Sequence, residues 1–201
     1  LTGDGYIDTS ATSAWISFTN ENTTVLKDYK NRFETLFDQT PTKRKTGEQA
    51  KELYVTSQGL YEYFQANLPA LTNPSSKKAV PEKIQQSKDE VVQAWLKGYF
   101  DADGYVNTKK RHVSITTTSK ELADQVSYLL QRFGIVTRKK TKKKRATNTE
   151  EQRVVKAYQL IITPGFIETF QETIGFTHPG KQDDLEHIIS SAEPNTNIDT
   201  V

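Results

Sequence analysis

The sequence predicts an α+β protein of two similar halves, and three observations carry that prediction. Leu1-Thr2-Gly3-Asp4-Gly5-Tyr6-Ile7 and Phe100-Asp101-Ala102-Asp103-Gly104-Tyr105-Val106 each place Asp-Gly-Tyr and a β-branched residue after a small one, at a constant separation (103 − 4, 104 − 5 and 105 − 6 are all 99). Ile16-Ser17-Phe18-Thr19 answers Val113-Ser114-Ile115-Thr116, and Gly59 to Gln65 answers Gly165 to Gln171, so the repeating unit is a whole domain. Between these landmarks the apolar spacing alternates between strand and helix periods, which gives strand pairs separated by helices, an αββαββα order in each half.

The second half is the fuller copy. Glu90 to Ala102 carries Val91, Val92, Trp95, Leu96, Tyr99 and Phe100 at helical spacing, and Gly104 stops it. Tyr105 to Thr108 and His112 to Thr118 alternate and are rich in β-branched residues, a first hairpin. Ser119 caps a helix whose stripe is Leu122, Val126, Leu129, Leu130 and Phe133, ended by Gly134. Ile135 to Arg145 and Val154 to Thr163 form the second hairpin, and Gly165 to Ile174 a last helix. In the first half Asp4-Gly5 closes a helix, Tyr6 to Thr9 pairs with Ala14 to Thr19, and Thr23 to Phe37 is helical with Leu26, Tyr29, Phe33, Leu36 and Phe37 inward. Two more strands flank Gly47. The division is then 1–74 for the first half, its opening helix expected to be cut short, 75–88 for a linker marked by Pro81 and lysines, 89–191 for the second half and 192–201 for a polar tail.

Composition narrows the chemistry. With 201 residues, 34% hydrophobic, the chain can bury one or two cores. Its net charge is only +2, but seven of the nine residues in Thr137 to Arg145 are basic, and local charge decides when the partner is a polyanion. Zero Cys excludes disulfides, thiolate zinc sites and cysteine nucleophiles, and no stretch is apolar enough to cross a membrane.

The repeated motif carries the chemistry. Gly98 and Ala102 are four apart on one helix face, and Gly3 is the counterpart of Ala102, so two motif ends can pack closely. That would bring Asp4 and Asp103 together at one edge. Two adjacent carboxylates repel unless a cation lies between them, and magnesium, which takes one or two carboxylates plus water and phosphate oxygens, suits them.

Leu96 to Gly104 resembles the LAGLIDADG motif of homing endonucleases, and Leu1 to Asp8 the tail of the first motif in their two-motif, single-chain members. Lys78 with Val80-Pro81-Glu82-Lys83-Ile84, and Ile174-Gly175-Phe176 followed by Lys181, resemble segments of the branch encoded within inteins. The resemblance spans nearly the whole chain. It implies two four-stranded antiparallel sheets forming a saddle over duplex DNA, and cation-dependent hydrolysis of both strands by one pseudo-symmetric monomer. It also implies metal binding at Asp4 and Asp103, with Gly3 and Ala102 beside them, and catalytic assistance from Lys78 and Lys181, with Lys77 as a neighbour able to replace Lys78. Mg2+, with Mn2+ as a substitute, is the expected cofactor. An intein with its splicing domain outside this chain is the expected setting, and the protein is expected to act inside the cell, wherever its target DNA is.

The third strand of each half is basic: Lys43, Arg44 and Lys45 in the first, and Arg138, Lys139, Lys140, Lys142, Lys143, Lys144 and Arg145 in the second. These are expected DNA contacts, with Lys109, Lys110 and Arg111 at a hairpin tip on phosphates. His112, His178 and His187 lack metal-site spacing and read as structural, and Trp15 and Trp95 read as core. Two other classes compete: a cleavage-inactive nucleic-acid-binding relative, such as a maturase or transcription regulator, and a structural protein whose halves only pair internally. Both carboxylates and both lysines oppose the first, and the basic strands oppose the second.

Overall fold

A computed structural model describes residues 1–10, 13–46, 50–145 and 154–191. The expected polar tail at 192–201, the stretch 146–153 between the strands of the second hairpin, and Gly47 lie outside the described residues. The chain runs β1 (Gly5–Thr9), β2 (Ala14–Asn20), α1 (Thr23–Phe37), β3 (Thr42–Lys45), β4 (Lys51–Thr56) and α2 (Gln58–Asn67). After the short α3 (Glu82–Gln85) it repeats the plan as α4 (Asp89–Asp103), β5 (Gly104–Asn107), β6 (His112–Thr117), α5 (Lys120–Gln131), β7 (Thr137–Arg145) and β8 (Val154–Ile162), and ends with α6 (Ile167–Thr173) and α7 (Pro179–Ser190).

Each half builds one four-stranded antiparallel sheet, in the orders β1-β2-β4-β3 and β5-β6-β8-β7. The registers match: Gly5 lies opposite Phe18, and Gly104 opposite Ile115. The expected α+β duplication is therefore present from the first strand of each half to the helix after the fourth, but α4 and α7 have no helical counterpart in the first half, where the residues 2–4 expected to end a helix form a turn. Local chemistry sets the boundaries. Asn22 Oδ1 accepts from the backbone of Thr24 and Val25 to start α1, and Asp38 ends it in the left-handed region at φ 51°. Ser119 starts α5 by accepting from Leu122 N at 3.1 Å, and Gly134, at φ 73°, lets the chain turn back towards β7.

Strand alternation divides the two sheet faces. Ile16, Phe18, Leu53, Val113, Ile115, Leu160 and Ile162 are buried on the helix side, while the residues between them belong to the other face, on which Ser17, Ser114 and Ile161 are also buried. The cores differ in size. Val80 of the linker and twenty-one buried residues from α4 to α7 form one cluster, whereas the first half holds two clusters of four. Phe100, fully buried, meets Phe170 edge-on at 5.0 Å, and its truncation to alanine would cost about 3–5 kcal/mol.

Several expectations need correction. Trp15 is 40% exposed, because alternation puts it on the outer face next to buried Ile16; Trp95 is half-buried against the larger core. Leu36 is 72% exposed. The helix expected from Gly165 is a 3₁₀ turn over Pro164–Phe166 before α6 begins. The linker region contains a 3₁₀ turn at Ser75–Lys77 and α3. Helix α7, which begins with Pro179 at its first turn, is an element that apolar spacing did not reveal.

Candidate active site and nucleic-acid interface

The two motif ends meet through their smallest residues. A Cβ placed on Gly3 would lie 2.5 Å from Ala102 Cβ and 3.1 Å from Asp103 Oδ2, so only glycine permits this approach. Gly5 and Gly104 repeat a second constraint: a Cβ on either would come within 2.3 Å of the carbonyl oxygen four residues earlier, Leu1 or Phe100. Asp4 and Asp103 are thereby delivered side by side.

Each lysine clamps the carbonyls of its own motif. Lys78 Nζ donates to Thr2 O at 2.7 Å, Gly3 O at 3.5 Å and Gly5 O at 3.4 Å. Lys181 Nζ donates to Asp101 O at 2.6 Å, Ala102 O at 3.2 Å and Phe100 O at 3.3 Å. Thr2 and Gly3 stand 99 residues before Asp101 and Ala102, so the shortest bonds of the two clamps are equivalent. At the end of α4 the carbonyls of Asp101 and Ala102 lack intrahelical donors and carry partial negative charge, which is why a cation settles there, and Thr2 O and Gly3 O hold the same place in the turn before β1. Neighbouring Lys77 is exposed at the end of its 3₁₀ turn and makes no such contact.

The electrostatics fit a cation-binding centre. Burial, then the charge of Asp4, pushes the Asp103 carboxyl up to about 6, although its surface is still open to solvent. Burial also raises Asp4, opposed first by a hydrogen bond from Asn20 Nδ2 to Asp4 Oδ2 at 2.7 Å. Both lysines are lowered by burial. Of the two motif carboxylates, Asp103 acts more strongly on Lys78 and Asp4 on Lys181, so charges are paired across the pseudo-twofold. Asp4, Asn20, His178 and Lys181 line one cleft of about 340 Å³.

Asp4, Asp103 and the carbonyls of Gly3 and Ala102 offer only hard oxygen donors, the set that magnesium and similar cations take. Each carbonyl also accepts from a lysine but keeps a second lone pair. Among the described residues no group of three or more His, Cys, Asp or Glu forms a cation site. The donor set therefore fits a cation shared with water and substrate, not a closed protein cage.

Sequence reasoning missed three supporting residues. Asp101, buried in α4, accepts at Oδ1 from Thr177 N (2.7 Å) and His178 N (2.9 Å) and so fastens the start of α7, which carries Lys181. Ser119 Oγ donates to Lys78 O at 2.6 Å while capping α5, fixing the loop that carries Lys78. Asn20 is the third. Asp101 had a legible signal, an acid two positions before Asp103 in the motif; Asn20 and Ser119 become visible only once the chain folds. His178 is structural as expected: its Nδ1 accepts from Lys181 N.

The basic strands divide by face. In β7, Thr137, Lys139, Thr141 and Lys143 lie opposite Ile162, Leu160, Tyr158 and Lys156, on the helix side; Lys139 pairs with Asp124 of α5. Arg138, Lys140 and Lys142 alternate with them on the outer face. The backbones of Lys144 and Arg145 complete β7 opposite Val155 and Val154. In β3, Lys43 and Lys45 fall on the helix side and Arg44 on the outer face. Lys109 and Lys110 are exposed at the tip, but Arg111 turns back, its Nη2 donating to Ile188 O at 3.3 Å. The thirteen basic residues expected on DNA therefore do not form one surface, because a strand of alternating side chains sends half of them to each side.

Comparison with known proteins agrees with this geometry. Residues 90–175 match the family described as LAGLIDADG-like domain. The chain is 28% identical over 190 residues, 94% of its length, to glutamine--fructose-6-phosphate aminotransferase of Methanocaldococcus jannaschii, and 28% over 200 residues, 99% of its length, to replication factor C small subunit of the same organism. It spans only 17% and 10% of these relatives. A crystal structure of I-DmoI in complex with DNA and Ca superposes with a TM-score of 0.61 at 19% identity, covering 91% of this chain and 90% of that one. Full-length WhiA from Thermatoga maritima gives 0.55 at 13% identity, covering 96% and 59%. Residues 90–175 thus match a LAGLIDADG-like domain, and the two four-stranded sheets with their helices give the chain the fold of the LAGLIDADG endonucleases, with a motif end in each half.

Proposed function

We propose that the protein is a site-specific endonuclease that cuts both strands of a long duplex DNA target by hydrolysing phosphodiester bonds. The observation that carries this reading is the duplicated clamp: two adjacent aspartates at motif ends, each motif held by a lysine on matching carbonyls. A binding or purely structural role requires neither the crowding of two carboxylates nor buried lysines beside them.

Asp4 and Asp103, with Gly3 O and Ala102 O, would hold the cation, Mg2+ or Mn2+. Such an ion, when bound, supplies Lewis-acid neutralisation of the charge that develops on the scissile phosphate. Lys78 and Lys181 place an ammonium at each side of that phosphate and stabilise its extra charge. Burial lowers both, which makes Nζ a readier proton donor at neutral pH. Asn20 holds Asp4 in one orientation through its Nδ2–H, and Asp101 and Ser119 hold the lysine-bearing segments. The outer faces of both sheets lie over the duplex, with Arg138, Lys140, Lys142 and Arg44 towards it.

The relatives also support the setting. An aminotransferase and a replication factor have no common activity, yet each matches this chain over a small part of its own length. A segment shared by such hosts behaves as an insert, and we infer that this unit is the endonuclease part of an intein.

The test is cleavage of a supercoiled plasmid library carrying randomised inserts, with Mg2+ and in a parallel arm Mn2+, followed by sequencing of the ends. Linear product with ends at one recurring sequence is expected. Duplex binding without cleavage in either arm would overturn the endonuclease reading in favour of the cleavage-inactive nucleic-acid-binding one.

A further inference from the structure

Arg44 differs from Arg138, Lys140 and Lys142, the other outer-face cations described above. Its Nε donates to Glu52 Oε2 at 2.6 Å, and its guanidinium lies 5.3 Å from the centre of the Tyr54 ring. Glu52 is 8% exposed although it belongs to the outward-facing row of β4, whereas the Arg44 side chain is 62% exposed. A carboxylate on a face meant for DNA repels phosphate, so its presence needs a reason. This one is turned into the sheet and is held by Nε, which leaves both Nη groups free of partners among the described residues.

Resting on the endonuclease reading, we propose that Arg44 is a base-reading residue for guanine, oriented by Glu52 and Tyr54. An arginine fixed through Nε presents its two terminal amino groups as a planar fork, the shape that matches O6 and N7 of guanine in the major groove. Tyr54 restrains the plane of that fork from one face. A mere phosphate contact would need no such restraint, and Arg138, Lys140 and Lys142 have none among the described residues. Arg44 is thus the specificity element of the first half, and Glu52 its positioning residue.

The experiment is selection of bound duplexes from a fully randomised library with Ca2+ present, read by sequencing, for the wild-type protein, Arg44→Ala, Arg44→Lys, Glu52→Ala and Glu52→Gln. Wild type is expected to select guanine at one position of one half-site. Arg44→Ala should lose that preference by about 5- to 150-fold, the range one bidentate pair supplies, with the other positions unchanged. Arg44→Lys should not restore it, since an ammonium lacks the fork. Glu52→Ala should weaken the same preference yet raise affinity for unselected DNA, because a repelling charge is gone, a combination that simple destabilisation does not produce. Glu52→Gln, which keeps an acceptor for Nε, should fall between. Equal profiles for wild type and Arg44→Ala, or full rescue by Arg44→Lys, would overturn the proposal. Loss of affinity for all sequences alike in both Glu52 variants would overturn the role of Glu52. A wild-type protein that binds no duplex would instead overturn the endonuclease reading.

Discussion

Asp4 ends a turn and Asp103 ends α4, each directly before the first strand of its half, and their surroundings differ. Asp4 accepts from Asn20 Nδ2 at the end of β2. The register places Thr117 at the matching position of β6, and no hydrogen bond reaches the Asp103 carboxylate among the described residues. Burial and the neighbouring Asp4 therefore push Asp103 up to about 6. The lysines are also mounted differently. Lys181 sits in a helix fastened by Asp101 of its own half, whereas the Lys78 loop is fastened by Ser119 and, through Val80 N, by Gln125, both in the second half. The outer faces part further: Arg138, Lys140 and Lys142 on one, and Asp8, Glu52 and Arg44 on the other. The lesson is that the two halves repeat what clamps the motif ends and diverge in what surrounds them. This division is what the proposed function, one chemical step repeated on two unlike half-sites, requires.

The largest effects should test the equal part. Asp4→Asn and Asp103→Asn are each expected to abolish double-strand cleavage while leaving duplex affinity within about tenfold, because cation binding is removed and phosphate contacts persist. Gel assays on supercoiled target check this, and full cleavage by either variant would break the equivalence of the halves. Lys78→Ala and Lys181→Ala should each slow single-turnover cleavage by about a hundredfold, the scale of removing one transition-state stabiliser. The equivalent clamps predict similar effects. Should only one variant be slow, the different mounting of the two lysines matters more than the carbonyl bonds they share.

The outer faces should give smaller effects. Replacing Arg138, Lys140 and Lys142 together by alanine is expected to reduce the slope of log affinity against log salt by about 0.9 for each phosphate left without its cation. The Lys139→Ala, Lys143→Ala double variant should leave the slope near wild type, since those positions belong to the helix side. Binding titrations across a salt series separate the two, and equal slopes would show that strand alternation does not sort the DNA-facing cations.

Much of this was legible in the sequence. The repeat, the helix Thr23–Phe37, the capping role of Ser119 and the approach of Gly3 to Ala102 follow from spacing and residue type alone. Periodicity within a strand is equally readable, and it separates Arg44 from Lys43 and Arg138 from Lys139, a separation hidden when Thr137 to Arg145 is taken as one charged run. Other features depend on contacts between distant segments. Asn20 finds Asp4 through the β1–β2 register, and Ser119 finds Lys78 across 41 residues, which no local pattern encodes. Helix α7 has polar residues on most of its surface and only Leu185 and Ile188 fully buried, too thin a stripe to announce a helix.

The smallest expected effect concerns pH and sharpens the contrast between the carboxylates. Asp103 binds its proton more tightly in the folded protein, at about 6, than at the ordinary value of 3.8. The folded state therefore gains from protonation, and this group's contribution to stability falls as pH rises from about 4 to about 6, the reverse of a salt-bridged aspartate. Asp4 shifts in the same direction but is eased by Asn20. Without divalent cation, Asp103→Asn should match wild type in melting temperature near pH 4 and exceed it at pH 7, and Asp4→Asn should show a smaller gain. Adding Mg2+ should stabilise wild type more at pH 7 than at pH 5, since the ion competes with the proton for the same oxygens. Thermal melts of the three proteins in chelator and in Mg2+ provide the measurement. An Asp4→Asn gain equal to or larger than that of Asp103→Asn would show that the Asn20 hydrogen bond does not distinguish the two sites.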